Sequence, residues 1–434
     1  MAERVAVLSS NFWPEPTGTG QTMTEFARFL AGQGLDVRVV TALPYYPEWE
    51  IRPGYRGRPW RTERSDGLTI YRSWHAVSPR PSTLTRLLHE ATLSLFALPN
   101  MVRALRGARA AYIASPALSY AFTASLVAAL LRVPRVLLVK DLMPEAAIEM
   151  GMLTNPVAIG VARALARGVY ALAGEIHTLG EGMRRRIVAV TSRPERVRVV
   201  PDTIDADELA PVPREENEFR ARFVPEGTFA VLHTGNMGRK QDLDLLLRAA
   251  DRLRGEPDIR FYVFGDGAEK DRFLARREEL GLGNVEHHPL QARRLLRHML
   301  SGADAVLISQ LPVVVDIVVP SKLLTALAAG AMIVAACHEE SETARLIGES
   351  GGGVRIPPSD DAALAARILD LRDGRVDVAA CRARARAFAL ERFERGAVYG
   401  AVLERAPWAA PRPAPRPDAP EAEAPRAAAP RPDG

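Results

Sequence analysis

Two doubly wound α/β domains, one in each half of the chain, are the fold class this sequence predicts, and three observations predict it. The chain opens with an apolar run at residues 5–8, a turn carrying Gly18 and Gly20, and a segment with Phe26, Phe29 and Leu30 at helical spacing, followed by a second strand-like run at residues 34–40. The same order restarts about 220 residues later: residues 229–232 are apolar, Gly235 and Gly238 occupy the turn, and Leu243, Leu245, Leu246 and Leu247 open a helix. Between and after these starts, short apolar runs alternate with longer periodic segments, the pattern of a parallel sheet covered on both faces.

With 434 residues, the chain is long enough for two cores. Its 47% hydrophobic and 25% charged residues are ordinary for a globular protein. Cys337 and Cys381 give neither a disulfide framework nor a metal-ligand spacing. The first residues lack a secretory pattern, so a cytoplasmic, reducing location is expected. The net charge of +5 is carried by arginine spread along the chain. It reads either as a solvated surface or as an attraction for phosphorylated substrates and anionic lipid. No aromatic-basic pattern argues for nucleic acid as a partner.

Along the first half, an aromatic loop at residues 44–49 and a basic stretch at residues 52–64, with Tyr55 and Trp60 interleaved, precede a strand at residues 68–71. Residues 82–106 predict a helix with Leu84, Leu87, Leu88, Leu95 and Leu98 on its apolar side and a break or kink at Pro99. The uncharged run at residues 110–131 is long enough for a membrane span. It divides instead into a strand at 111–114, a helix start at Ser115 and Pro116, and a helix at 117–131 too short to cross. Strands are expected at 136–139, 175–178 and 197–200, with a hinge at 201–205. In the second half they are expected at 229–233, 259–264, 285–287, 305–308, 333–336 and 353–356. One last helix covers 378–404. The domain boundaries that follow are 1–203 and 204–385, with a crossover helix at 386–405 and a Pro/Ala-rich, disordered tail at 406–434.

Three turns carry the chemistry of the second half. Gly235, Asn236, Gly238, Arg239, Lys240 and Gln241 lie between a strand and a helix, where glycine admits close backbone approach and free amides attract phosphate. Gly265, Asp266 and Gly267 form another such turn at the carboxyl end of the next strand. Ser321 is placed to cap a helix that has Lys322 in its first turn. A lysine there opposes the helix dipole, which argues that it meets an anion. In the first half, Asp141 and Glu145 follow the strand at 136–139, where a carboxylate can orient a sugar hydroxyl or take a proton, or can cap the next helix. His75, His89, His177 and His233 are scattered and read as structural, and no metal site is expected.

The segments NFWPEPTGTG, LPYYPEW, KDLMPE, VVPDTID, HTGNMGRKQ, FGDG and VPSKLLTALAAG, in that order across residues 4–405, resemble the GT-B glycosyltransferases of family 4, and within it the colanic-acid or exopolysaccharide type. The resemblance implies two Rossmann-like domains facing across a cleft and a nucleotide-diphosphate sugar held mainly by the second. It also implies a glycan or polyprenyl-linked acceptor on the first, transfer that retains configuration without a metal or other cofactor, and a final helix crossing back to the first domain. Gly18, Gly20 and Thr325 join the turns above as donor-binding positions, and Asp141 and Glu145 as catalytic ones.

There are departures. Asn236 and Gln241 stand where many members have Arg and Lys, and Arg239 or Lys240 would supply that charge. The paired-glutamate motif falls near Asp316 and at Thr325. These departures leave open a non-catalytic carbohydrate-binding partner of another transferase, or a nucleotide-sugar epimerase. Residues 52–106, which mix basic, aromatic and apolar positions, are expected to touch an inner-leaflet membrane surface.

Overall fold

The computed structural model describes residues 2–406, apart from 16–17, 47, 81–82, 239 and 315–320. Two sheets form. The first contains β1 (Arg4–Leu8), β2 (Asp36–Ala42), β3 (Trp60–Ser65), β4 (Leu68–Ser73), β5 (Ala110–Ser115), β6 (Arg135–Val139), β7 (Glu175–Thr178) and β8 (Val197–Val199), in the order β3-β4-β2-β1-β5-β6-β7-β8. The second contains β9 (Phe229–Asn236), β10 (Ile259–Asp266), β11 (Val285–His288), β12 (Ala305–Ser309), β13 (Ile333–Ala336) and β14 (Gly353–Ile356), in the order β11-β10-β9-β12-β13-β14. Every pairing is parallel except β3 with β4. Strand order therefore reverses between β1 and β5, and again between β9 and β12, and in doubly wound sheets the ligand crevice lies at that reversal.

β3 was not expected. It is the polar edge strand of a hairpin closed by Asp66 (φ 51°) and Gly67 (φ 75°), the Asp-Gly signature of a tight two-residue turn. The helix Thr83–Leu105 runs through Pro99. Its buried side is Leu93, Ala97, Met101, Ala104 and Leu105, whereas Leu87, Leu88 and Leu95 are 63%, 52% and 63% exposed. The expected apolar side is thus largely the outer one; the side chain of Leu84 lies outside the described residues. The run at 110–131 is β5 followed by a helix Leu118–Leu130, and no helix among the described residues is long and apolar enough to cross a membrane.

The last helical stretch is two helices, not one. Val378–Phe393 packs on the second half, and Arg395–Glu404 packs on the first. Glu394 breaks them and caps the second by accepting from the Ala397 amide (2.9 Å). At the break Ile204 donates to the Phe393 carbonyl (2.8 Å) and accepts from Arg395 (3.1 Å), so the outgoing and returning strands of the chain are tied together. Tyr399 then seats between Phe26 (ring centroids 5.0 Å apart) and Phe29 (5.3 Å). One buried apolar cluster runs without interruption from Leu93 and Met183 through Ile204 and Phe393 to Leu327 and Ala335, joining the halves.

Candidate functional site

At the ends of β9 and β10, Gly235 pairs with Gly265 and Asn236 with Asp266. There is no room for side chains. A Cβ on Gly265 would lie 2.4 Å from the Gly235 carbonyl oxygen, and one on Gly267 would lie 2.6 Å from both Asn236 Oδ1 and the Met237 carbonyl. Gly235 also has φ +105°, where an L side chain is strained. Met237 locks the two turns together: its amide donates to Asp266 (2.8 Å), and its carbonyl accepts from Glu269 (2.9 Å). A Cβ on Gly238 would lie 2.7 Å from Asn236 Nδ2.

Lys322 reaches into this turn from the helix Ser321–Ala328. Its ammonium donates to Gln241 Oε1 (3.0 Å) and to the Asn236 carbonyl (3.1 Å), and lies 3.4 Å from His233 Nε2. Among the described residues, no carboxylate is within ion-pair distance of it. Burial pulls the ammonium down to about 7. His233 is held well below its ordinary range by burial and then by the Lys322 charge. A half-buried ammonium ringed by neutral acceptors carries a charge that its protein neighbours among the described residues do not balance.

Several expected residues take other roles. Ser321 is itself the first helical residue, so it is not the cap. The helix after the first turn starts at Leu243 and is capped by Asp242, which accepts from the Leu245 amide (3.1 Å) and from the Ser359 hydroxyl (2.5 Å). That helix start is filled by its own carboxylate, so its first amides are not open to an anion. Thr325 spends its hydroxyl on the Lys322 carbonyl (3.0 Å). Asp266 is exposed, and Lys270 (3.0 Å) and the Gly267 amide (2.8 Å) hold its carboxyl below the usual range. Arg239 and Asp316 lie outside the described residues.

The other wall belongs to the first half. Asp141 follows β6 and meets Lys240 across the cleft at 3.7 Å. Burial pushes its carboxyl up, and Lys240 opposes that shift. It does not cap a helix: the next one, Glu145–Glu149, is preceded by Pro144 and has no side-chain cap. Glu145 turns to Arg163 of its own half (3.2 Å). Gly18 (φ +62°) precedes the first helix, and a Cβ on Gly20 would lie 3.2 Å from Glu15 Cβ. The cleft is held by ion pairs at its sides: Glu25 meets Arg293 (3.6 Å) and Arg395 (3.1 Å), and Arg395 also meets Asp205 (3.1 Å).

Sequence reasoning missed Glu15, Tyr46, Met237 and the site role of His233. Glu15 is buried and accepts from the amides of Tyr45 (3.1 Å) and Tyr46 (3.0 Å) and from Asn11 (2.8 Å). A lone glutamate in a Pro-rich loop gives no periodic signal. His233 sits one residue before the turn, and only the fold brings Lys322 to it. A cavity of about 480 Å³ lies elsewhere, between the back of the first sheet and the last helix, lined by Tyr112, Val136, His177, Arg198, Val398 and Val402. None of the cleft residues reaches it.

A two-sheet α/β chain with a phosphate-grade turn opposite a carboxylate is the layout of a GT-B transferase, and the comparisons agree. Residues 17–203 match the family described as glycosyl transferase 4-like domain, and residues 228–373 match glycosyl transferases group 1. The chain belongs to the GT-B glycosyltransferases of family 4 and is a glycosyltransferase enzyme. It is 31% identical, over 84% of its length and 91% of the relative's, to the colanic acid biosynthesis glycosyl transferase WcaI of Escherichia coli K12. Two solved structures share the fold at 16% identity: Anabaena HepE in complex with UDP and glucose (TM-score 0.69, covering 93% of this chain and 98% of that one), and WaaG, a glycosyltransferase involved in lipopolysaccharide biosynthesis (TM-score 0.66, covering 92% and 98%).

Proposed function

We propose that the protein transfers a sugar from a nucleotide-diphosphate donor to a polyprenyl-carrier-linked or exopolysaccharide acceptor, with retention of configuration and without a metal ion or other cofactor. The observation that carries this reading is Lys322, a half-buried ammonium held by Gln241 and Asn236 with no anion of its own among the described residues. A diphosphate supplies that charge. As the bond from the anomeric carbon to the diphosphate breaks, negative charge grows on the phosphate, and Lys322 and the packed turn amides stabilise it. The acceptor oxygen bonds to the anomeric carbon on the same face. Its proton passes to the departing phosphate, while Asp141 orients the hydroxyl. HepE was solved with UDP and glucose, which supports a donor of this class.

The names of WcaI and WaaG support a polysaccharide product. The acceptor side has a surface suited to a lipid carrier. The helices Thr83–Leu105, Leu118–Leu130 and Pro156–Leu172 pack side by side. Leu87, Leu88, Leu95, Leu130, Val157 and Val161 stand on them exposed. Their one acidic residue, Glu90, turns to Ser119 (2.8 Å), leaving Arg86 and Arg167 to face anionic headgroups.

Purified protein mixed in turn with UDP, GDP and dTDP and their sugars tests the donor. A thermal shift with one nucleoside diphosphate, and release of that diphosphate from its sugar, are expected. Epimerised donor without release would establish an epimerase instead, and a saccharide-binding protein that ignores all three nucleotides would establish a non-catalytic partner.

A further inference from the structure

We infer that Trp13 and Tyr46 form a stacking platform for a pyranose ring of the acceptor, so that the acceptor is recognised by a sugar rather than by a lipid phosphate alone. The inference rests on the glycosyltransferase reading and gives the acceptor side of that cleft a substrate class. Large aromatic side chains are rarely left in water. Among the described residues, the exposed ones are Trp13 (40%), Tyr46 (37%) and Trp60 (48%). Trp60 is accounted for: its indole donates to the Phe96 carbonyl (2.8 Å), and the two rings pack together. Among the described residues Trp13 and Tyr46 have no ring partner, and both sit in loops at the carboxyl ends of β1 and β2, the side of a doubly wound sheet on which ligands bind.

Those two loops are anchored at the backbone on either side of the rings. Trp13 donates its amide to Thr24 Oγ1 (2.9 Å) and accepts at its carbonyl from buried Arg72 (2.6 Å). The Tyr46 amide is held by Glu15 (3.0 Å). Arg52 reaches both loops, donating to the Pro14 carbonyl (3.2 Å) and to the Tyr46 carbonyl (3.5 Å). The order is therefore supplied before any ligand arrives, which removes the entropic penalty of fixing a binding loop. The Asp141 charge is near enough to Tyr46 to help raise its phenol, after burial and Glu15, so the hydroxyl remains a donor. Aromatic faces are electron-rich and meet the polarised C–H face of a pyranose, while the Tyr46 hydroxyl and the Asp141 carboxylate meet its hydroxyl rim.

The test uses the full chain, without donor, and a panel of methyl glucoside, methyl galactoside, cellobiose and lactose. Binding is read by saturation-transfer NMR and by Trp fluorescence. At least one saccharide is expected to bind in the millimolar range. Trp13→Ala and Tyr46→Ala should each weaken it about tenfold, Trp13→Phe and Tyr46→Phe should retain most of it, and Trp60→Ala should not change it. Nucleoside-diphosphate affinity should be the same in all five, which also shows that each variant is folded. Wild-type protein that binds no panel member at tens of millimolar, or alanine variants that bind like wild type, would overturn the platform. Failure of the donor reading registers separately, as absence of a nucleotide thermal shift in the wild type.

Discussion

Lys322 is the residue on which the proposed phosphate binding and folding pull in opposite directions. Its ammonium is depressed from 10.5 to about 7 by burial. Between those values the unfolded chain carries one more proton than the folded one, so stability rises with pH across that window and the charged form is the destabilising one. Lys322→Met is therefore expected to raise the melting midpoint at pH 7, by roughly 2–4 °C for each kcal/mol of relief, and to flatten the rise above pH 7. The same change should weaken nucleoside-diphosphate binding by about tenfold or more, because hydrogen bonds to a charged partner are worth about 1.5–3 kcal/mol. A lowered midpoint with unchanged binding would make Lys322 a structural residue. The two carboxylates of the opposite wall separate in a similar way. Asp141 meets Lys240 across the cleft, whereas Glu145 is spent on Arg163. Asp141→Asn should lower turnover strongly with donor affinity retained, the mark of an interaction made in the transition state, and Glu145→Gln should lower it less. Equal turnover in both variants and the wild type would remove Asp141 from the reaction.

At the scale of the elements, what makes the proposed donor turn is contact between two strand ends. The atom nearest a Cβ at Gly265 is a backbone oxygen, ahead of the Met237 side chain, so a methyl group at 2.4 Å has to push β9 and β10 apart. Gly265→Ala is expected to lower the melting midpoint and abolish nucleotide binding together. Gly283→Ala, at a site where a Cβ meets nothing within 4 Å, should do neither. Retained nucleotide binding in Gly265→Ala would show that the packed turn is not the phosphate site. The glycine pattern in these turns was legible in the sequence because each glycine answers a local backbone need. The β3–β4 hairpin was missed despite its signal in Asp66 and Gly67, because the arginines before it read as a basic loop. The exposed side of Thr83–Leu105 was not legible, because leucine spacing gives a stripe without saying which of two apolar stripes meets the sheet.

Across the whole molecule, the halves are joined by the returning helix and by a lattice of arginine pairs. Tyr399 is 7% exposed and packs against Phe26 and Phe29. Tyr399→Ala should cost about 3–5 kcal/mol, as large aromatic truncations do, and should release the helix Arg395–Glu404 to proteolysis. A protein with an unchanged midpoint and unchanged cleavage would show that the helix is held elsewhere. The helices Thr83–Leu105, Leu118–Leu130 and Pro156–Leu172 carry exposed leucines and valines. Co-sedimentation with anionic vesicles is expected at low salt and should fall as salt rises. The double change Leu88→Glu, Leu130→Glu should abolish it. Equal sedimentation with and without that change would place the contact on another surface.

By itself the sequence determined the fold class, the start of each half through its two restarts, and the glycine turns, because these follow from periodicity and backbone sterics that act over a few residues; the strand order of each sheet came from the structure. It also determined, through a run of motifs in fixed order, the family to which the chain belongs. Only the tertiary structure decided which side chains share the cleft. Lys322 reaches His233 and Gln241 across more than eighty positions of chain. Lys240 finds Asp141 from the other half, and Asp242 fills the helix start that the sequence assigned to phosphate. Those partnerships depend on how the sheets twist and how the returning helix draws the halves together. Charge and burial at such distances are properties of packing, and no local pattern of residues encodes them.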